Sequence, residues 1–218
     1  MRSHGIAIVV AMAIGLMAVA PAEAGLHAGI KLWYQTLELS GDGATFEAKG
    51  LTYGPTASID LSENVWVSGS WIFGTMEWEG LEDLGEADYT TQDAEAVLAV
   101  SFDWFDLGAG FRYSEDDFVG EATDVVRSYG PLAYIGAGTP LGDTPFGWYA
   151  AGSIMFLDLN DDFGDENEGA HFNVEGGLSA FFDPITATVG YRYKDFYNSG
   201  DDVDLTFRGF VGSAGIVF

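Results

Sequence analysis

The sequence predicts an all-β protein, a closed, up-and-down antiparallel transmembrane β-barrel of about ten strands. Three observations carry this. Ten stretches alternate apolar and polar residues with a period of two, and no stretch beyond residue 24 keeps an apolar period of 3.6. The connections between the stretches alternate between short turns and longer polar segments. The last fifteen residues contain no proline and end on Phe218. Counting back from it by twos gives Ile216, Ala214, Gly212 and Phe210, all apolar or without a side chain. A chain that finishes on such a strand needs a first strand to close against, so that no edge is left unpaired in lipid.

Before the first strand, residues 1–24 read as a cleaved signal peptide. Arg2 and His4 form a short basic region, residues 6–20 are almost continuously apolar, and Ala22-Glu23-Ala24 is a small-residue cleavage pattern. The apolar run falls short of the roughly 20 residues that a spanning helix needs. The barrel is therefore expected over 25–218, in an exported protein. Cysteine is absent, which removes disulfides, thiol catalysis and thiolate metal sites. The 30 glycines and 15% aromatic content suit tight curvature and interfacial girdles. A net charge of −26 excludes nucleic acid as a partner, because the phosphate backbone would be repelled.

Taken in order, the first stretch is 26–38, with Ile30, Leu32 and Tyr34 opposite Lys31, Trp33 and Gln35. The second, 50–61, is the most regular: Leu51, Tyr53, Pro55, Ala57, Ile59 and Leu61 oppose Thr52, Gly54, Thr56, Ser58 and Asp60. In the third, 64–76, Val65, Val67, Trp71 and Phe73 oppose Ser68, Ser70 and Gly74. The fourth, 91–103, sets Ala94, Ala96, Leu98, Val100 and Phe102 against Asp93, Glu95, Val97, Ala99 and Ser101. The fifth, 104–114, carries Arg112 on its polar phase. The sixth and seventh, 125–139 and 146–157, alternate less clearly, and the facing of the seventh is left open. The eighth, 170–182, opposes Phe172, Val174 and Leu178 to His171, Asn173 and Glu175, and the ninth, 185–196, opposes Val189, Tyr191 and Tyr193 to Arg192 and Lys194. Residues 204–218 close the set.

Short turns are expected at 62–64, 103–104, 141–143 and 183–184. Longer polar segments are expected around 41–43, 79–89, 115–123, 160–169 and 198–202. An even strand count puts both termini on the short-turn side. Internal echoes support a repeating hairpin: Gly110-Phe111-Arg112-Tyr113 resembles Gly190-Tyr191-Arg192-Tyr193, and Tyr53-Gly54-Pro55 recurs as Tyr129-Gly130-Pro131. These patterns, with the closing strand, resemble the small outer-membrane barrels of the OmpX, OmpW and opacity-protein type, whose usual eight strands give the alternative count. The resemblance implies the outer membrane of a Gram-negative bacterium, periplasmic termini, and contact with membrane lipid and lipopolysaccharide. It also implies insertion by the barrel assembly machinery, with Phe210, Ile216 and Phe218 as the assembly signal.

Candidate site residues follow from the phases. Lys31, Arg112, Arg192 and Lys194 share the polar phase with Asp60, Asp93, Glu95 and Glu175. Buried charges need partners, so an interior charge network filling a narrow barrel is expected. The other reading is a charge-lined conduit for small solutes or cations. Arg127 and Arg208 interrupt the apolar phase near the long-loop ends, where a guanidinium can reach lipopolysaccharide phosphates or snorkel. Catalysis has no constellation to rest on: beyond the signal the only histidines are His27 and His171, and neither has nucleophile-pair spacing. No dedicated cofactor is expected.

Most of the 34 acidic residues fall in or beside the five longer connections, where Lys49 is the only basic residue. The densest run supplies Asp158, Asp161, Asp162, Asp165, Glu166 and Glu168. It begins like a calcium loop but has Phe163 and Gly169 where glycine and glutamate belong, so weak multisite Ca²⁺ or Mg²⁺ binding is the expectation rather than an EF-hand.

Overall fold

The computed structural model is a closed barrel with strands paired in the order β1-β10-β9-β8-β7-β6-β5-β4-β3-β2. The structure describes residues 25–41, 44–79, 88–118, 124–161, 166–198 and 204–218, with side chains for 25–40, 45–79, 89–117, 125–156, 169–196 and 205–218. The signal segment and the centre of the 158–168 run lie outside the described residues, and so do the side chains of that run. The strands are β1 (Leu26–Gly41), β2 (Ala44–Ser62), β3 (Val65–Trp78), β4 (Asp88–Phe102), β5 (Phe105–Phe118), β6 (Asp124–Pro140), β7 (Phe146–Asp161), β8 (Glu166–Phe182), β9 (Ile185–Asn198) and β10 (Asp204–Val217). Every neighbouring pair is antiparallel, and β1 closes on β10 from His27↔Val217 to Ser40↔Asp204. Ten strands are present, and the eight-strand alternative falls away.

The short turns sit where the sequence puts them. Asp103 has φ 40° and Gly142 φ 64°, which let the chain reverse within a few residues. At the other rim the strands outrun expectation. β1 and β2 reach residues 41 and 44, and β5 continues to Phe118 through what reads as loop. Hydrophobic alternation stops where the apolar belt stops, but the backbone ladder needs only a partner strand, so polar hairpins extend it. Strands of 14–19 residues exceed the roughly 9–11 that a tilted membrane strand requires.

The Tyr-Gly-Pro repeat marks one structural device used twice. Both dipeptides, Gly54-Pro55 and Gly130-Pro131, pair with the preceding strand and drop out of pairing with the following one. Proline has no N–H to give that ladder. The glycines are needed for close approach: a Cβ on Gly54 would run into the Trp71 carbonyl oxygen, and one on Gly130 into that of Phe156.

The outer face is apolar. Ile30, Leu32, Leu98, Leu107, Ile135, Leu178 and Val189 are all exposed there. Aromatic residues bound this belt on both sides. Near the short turns lie Trp104, the stacked Phe102–Phe105 pair and Phe146–Phe182. Toward the long loops lie Tyr53–Phe73 and Tyr191–Phe210. A closed sheet with an apolar outer belt between two aromatic girdles is the arrangement of a membrane-spanning barrel. Phe210, Ile216 and Phe218 all point outward, and Phe218 is 73% exposed while its N–H donates to Leu26 O at 2.8 Å.

Candidate functional site

The candidate site is the lumen. Inward-facing residues form two storeys around a charged centre. Asp93 on β4 is the hub: its carboxylate lies 2.9 Å from Lys194 Nζ, 3.5 Å from Arg112 Nε and 3.7 Å from Arg192 Nη2. Lys194 also donates to Ser114 Oγ at 3.2 Å, and Arg192 Nε donates to Asn173 Oδ1 at 2.6 Å. Arg112 bonds to Glu95, and Lys31 donates to Glu175 at 2.6 Å. β4 and β9 are diametrically opposite in the ring, five strands apart in either direction. The Asp93–Lys194 bridge therefore crosses the full bore.

The cations also rest on aromatic faces. The Arg192 guanidinium lies 4.6 Å from the Trp33 ring, and Lys194 Nζ is 4.9 Å from the rings of both Phe196 and Phe207. This desolvated setting strengthens cation–π attraction. On the long-loop side these rings join a dry layer of Leu37, Met76, Tyr89, Met155 and His171. His171 is fully buried and stacked on Phe196 at 4.0 Å, so it is part of the packing.

Seven of the eight residues expected in the network are in the lumen, and all seven share it. Asp60 is the exception. It keeps the inward phase but lies at the short-turn rim, half exposed, 3.8 Å from His27 Nε2. The phase was right and the depth was not, because alternation reports facing and carries no information on distance from the rim. Asp116 was missed. It accepts hydrogen bonds from Tyr89, from Thr91 at 2.7 Å and from Ser114 at 3.2 Å, all buried. Its signal was available, since Arg112, Ser114 and Asp116 share one phase. With it, the four network cations face Asp93, Glu95, Asp116 and Glu175, while Asp106, on the same phase as Arg112, lies nearer the short turns and accepts from Ser101 at 2.6 Å. The seventh strand, whose facing was open, turns Tyr149, Ala151, Ser153 and Met155 inward.

Below the network, toward the short turns, the lumen is open. Toward the rim the wall carries small residues such as Ser58, Gly177 and Ser213 together with the Asp60 and Asp106 carboxylates, and a cavity of about 220 Å³ lies between rim and network. Trp66 and Tyr134 meet edge to face there at 5.7 Å. Solvent reaches Lys31 and Glu95, whose side chains are 20% and 21% exposed, but stops at Lys194, which is 1% exposed.

Outside the barrel, above the upper girdle, Arg127 Nε donates to Glu115 and Arg208 Nη2 to Glu38, both at 2.8 Å. Lys49 bridges to Glu79 at 2.8 Å and Glu47 at 3.4 Å, so it belongs to the β2–β3 hairpin rather than to a loop. Among the described residues no group of three or more acidic or histidine side chains is arranged to hold a metal ion. The 158–168 side chains fall outside that description.

No protein-family model matches the chain, and no curated protein matches it in sequence. Among solved structures it is similar to the translocator domain of the autotransporter NalP from Neisseria meningitidis, at 10% identity over 96% of this chain and 94% of that one, with a TM-score of 0.46. It is similar to an outer membrane channel from Pseudomonas putida F1, at 11% identity over 92% and 97%, TM-score 0.43. It is also similar to Ail, the attachment invasion locus protein of Yersinia pestis, at 14% identity over 88% and 98%, TM-score 0.38.

Proposed function

We propose that this chain is an integral outer-membrane protein whose barrel is plugged by its own side chains, and whose role is structural or lies in surface interaction at the long-loop rim. The observation that supports this reading is the Asp93–Lys194 bridge across the bore, roofed by the fully buried Phe207 and Tyr89. A conduit needs a continuous wet path, and a buried ion pair under aromatic rings interrupts it. In this reading the termini are periplasmic, and Phe210, Ile216 and Phe218 present the face that the assembly machinery reads. Arg127 and Arg208 meet lipopolysaccharide phosphates in competition with Glu115 and Glu38. The acidic rim binds Ca²⁺ or Mg²⁺ weakly, on the order of 10⁻⁴–10⁻³ M as at exposed extracellular sites. We assign no catalytic role.

Planar-bilayer recording tests the closed lumen. Purified wild-type barrel should be silent, and an Asp93→Ala/Lys194→Ala/Phe207→Ala variant should give discrete steps. Reproducible steps from wild type would refute the plug and favour the alternative, a narrow porin-like channel for small solutes or cations.

A further inference from the structure

We propose that the cavity on the short-turn side is a binding site for a neutral, polyhydroxylated solute of about hexose size. The volume, about 220 Å³, is room for roughly seven waters at their liquid share of about 30 Å³ each. A six-carbon polyol ring displaces a comparable amount. The charges at its edge cancel and are already engaged: Lys31 with Glu175, Glu95 with Arg112, and Arg192 with Asn173 and Asp93. Within the wall an entering ion would lose hydration against pairs that are already made, and the Asp106 carboxylate toward the mouth is engaged by the Ser101 hydroxyl; a neutral solute faces no such penalty.

The wall supplies what a polyol needs. Trp66, held edge to face by Tyr134, offers a ring for the C–H face of the solute, and the hydroxyls of Ser68, Ser70 and Ser153 can donate or accept. Ser153 carries the inference furthest. It is 5% exposed, it lines the cavity, and its Oγ is buried with no hydrogen-bond partner. An unsatisfied buried hydroxyl is unfavourable in a finished fold, and a solute hydroxyl beside it removes the deficit. Access is from the short-turn mouth, because solvent reaches Lys31 from that side while the buried network closes the other.

The chain has no cysteine, so Ala151→Cys, at an inward-facing position of the wall without a proposed contact role, creates a single thiol in the cavity. The full-length barrel folded in detergent would be treated with a small methanethiosulfonate reagent in rising glucose, myo-inositol, glycine betaine or sodium chloride. Glucose or inositol should slow labelling at least tenfold at saturation, and betaine and salt should not. Calorimetry with the better polyol should give a millimolar Kd, weakened at least tenfold by Trp66→Ala. Ser153→Ala should weaken it about fivefold, the size of one neutral hydrogen bond, while heat stability holds or rises. Four results would overturn the proposal: no labelling without solute; labelling that neither polyol slows; betaine protecting as well as a polyol; or Ser153→Ala losing stability with affinity unchanged. The second would leave a cavity that holds only water. None of these readouts depends on whether the barrel conducts.

Discussion

Replacing Asp93 with asparagine removes one charge that three cations share. At the effective dielectric of about 20 suited to protein sites, a unit pair separated by 2.9 Å, the Asp93–Lys194 distance, attracts by about 6 kcal/mol, and the two arginine contacts add somewhat less each. Most of that gross attraction is set against the desolvation of buried charges. The net loss on breaking such a pair is about 3–5 kcal/mol, because Lys194 loses its directly bonded carboxylate in a dry site and keeps only Ser114 and the more distant charge of Asp116. Arg112 keeps Glu95, and Arg192 keeps Asn173. For a domain of this length the loss corresponds to a melting shift of roughly 6–20 °C. The assay is the temperature at which the folded band converts to the unfolded one on SDS gels. Lys49→Leu is the control, since its pair with Glu79 lies in solvent, where water and salt screen it. Asp93→Asn/Lys194→Met should recover part of the loss, because the lysine charge is no longer held in a dry site without its bonded carboxylate. Equal shifts for Asp93→Asn and Lys49→Leu, or a double variant no more stable than Asp93→Asn, would refute the buried hub.

Three further outcomes are expected. Gly54→Val should block assembly or lower heat stability sharply, since the Trp71 carbonyl that a Cβ would strike belongs to the adjacent strand; unchanged gel migration and melting would mean the approach is not close. Deleting Phe218 should reduce the amount of heat-modifiable barrel in the outer-membrane fraction, and normal insertion would show that the exposed terminal ring is not read. Calcium should protect the acidic loops from protease better than sodium at matched ionic strength, and equal protection would leave only a screened acidic surface.

Fold and site were legible to different depths in the sequence. Strand number, facing and the short turns follow from period-two alternation, because lipid tolerates only an apolar outer face and the pleat fixes which residues meet it. The lumen obeys no such single rule. Lys31, Arg112 and Arg192 announced themselves as charges on the inward phase, but Trp33, Met76, Met155 and Phe207 on the same phase carry no such mark. A plugged barrel packs its interior as a soluble protein packs its core, so apolar residues occur on both phases and alternation weakens. β6 and β7 show this, with Leu132 and Met155 inside opposite Ala133 and Ile154 outside. Asp116 was lost for another reason: acidic residues after Ser114 read as loop, yet the ladder continues beneath them. Depth along the axis, which separates Asp60 from Asp93, depends on strand tilt and stagger, which no local pattern encodes.

The cross-lumen contacts have a consequence in time. Lys194 lies 101 residues from Asp93 in sequence, and Lys31 lies 144 from Glu175. Neither pair joins neighbouring strands, so neither can form in a growing open sheet. Both must wait until β1 has found β10 and the wall is curved shut. Contacts made that late are expected to form after the rate-limiting step, so weakening them should accelerate unfolding and leave the folding rate nearly untouched. On that expectation the charged centre is a latch, engaged only after correct closure, that governs how long a finished barrel lasts rather than how fast one is made.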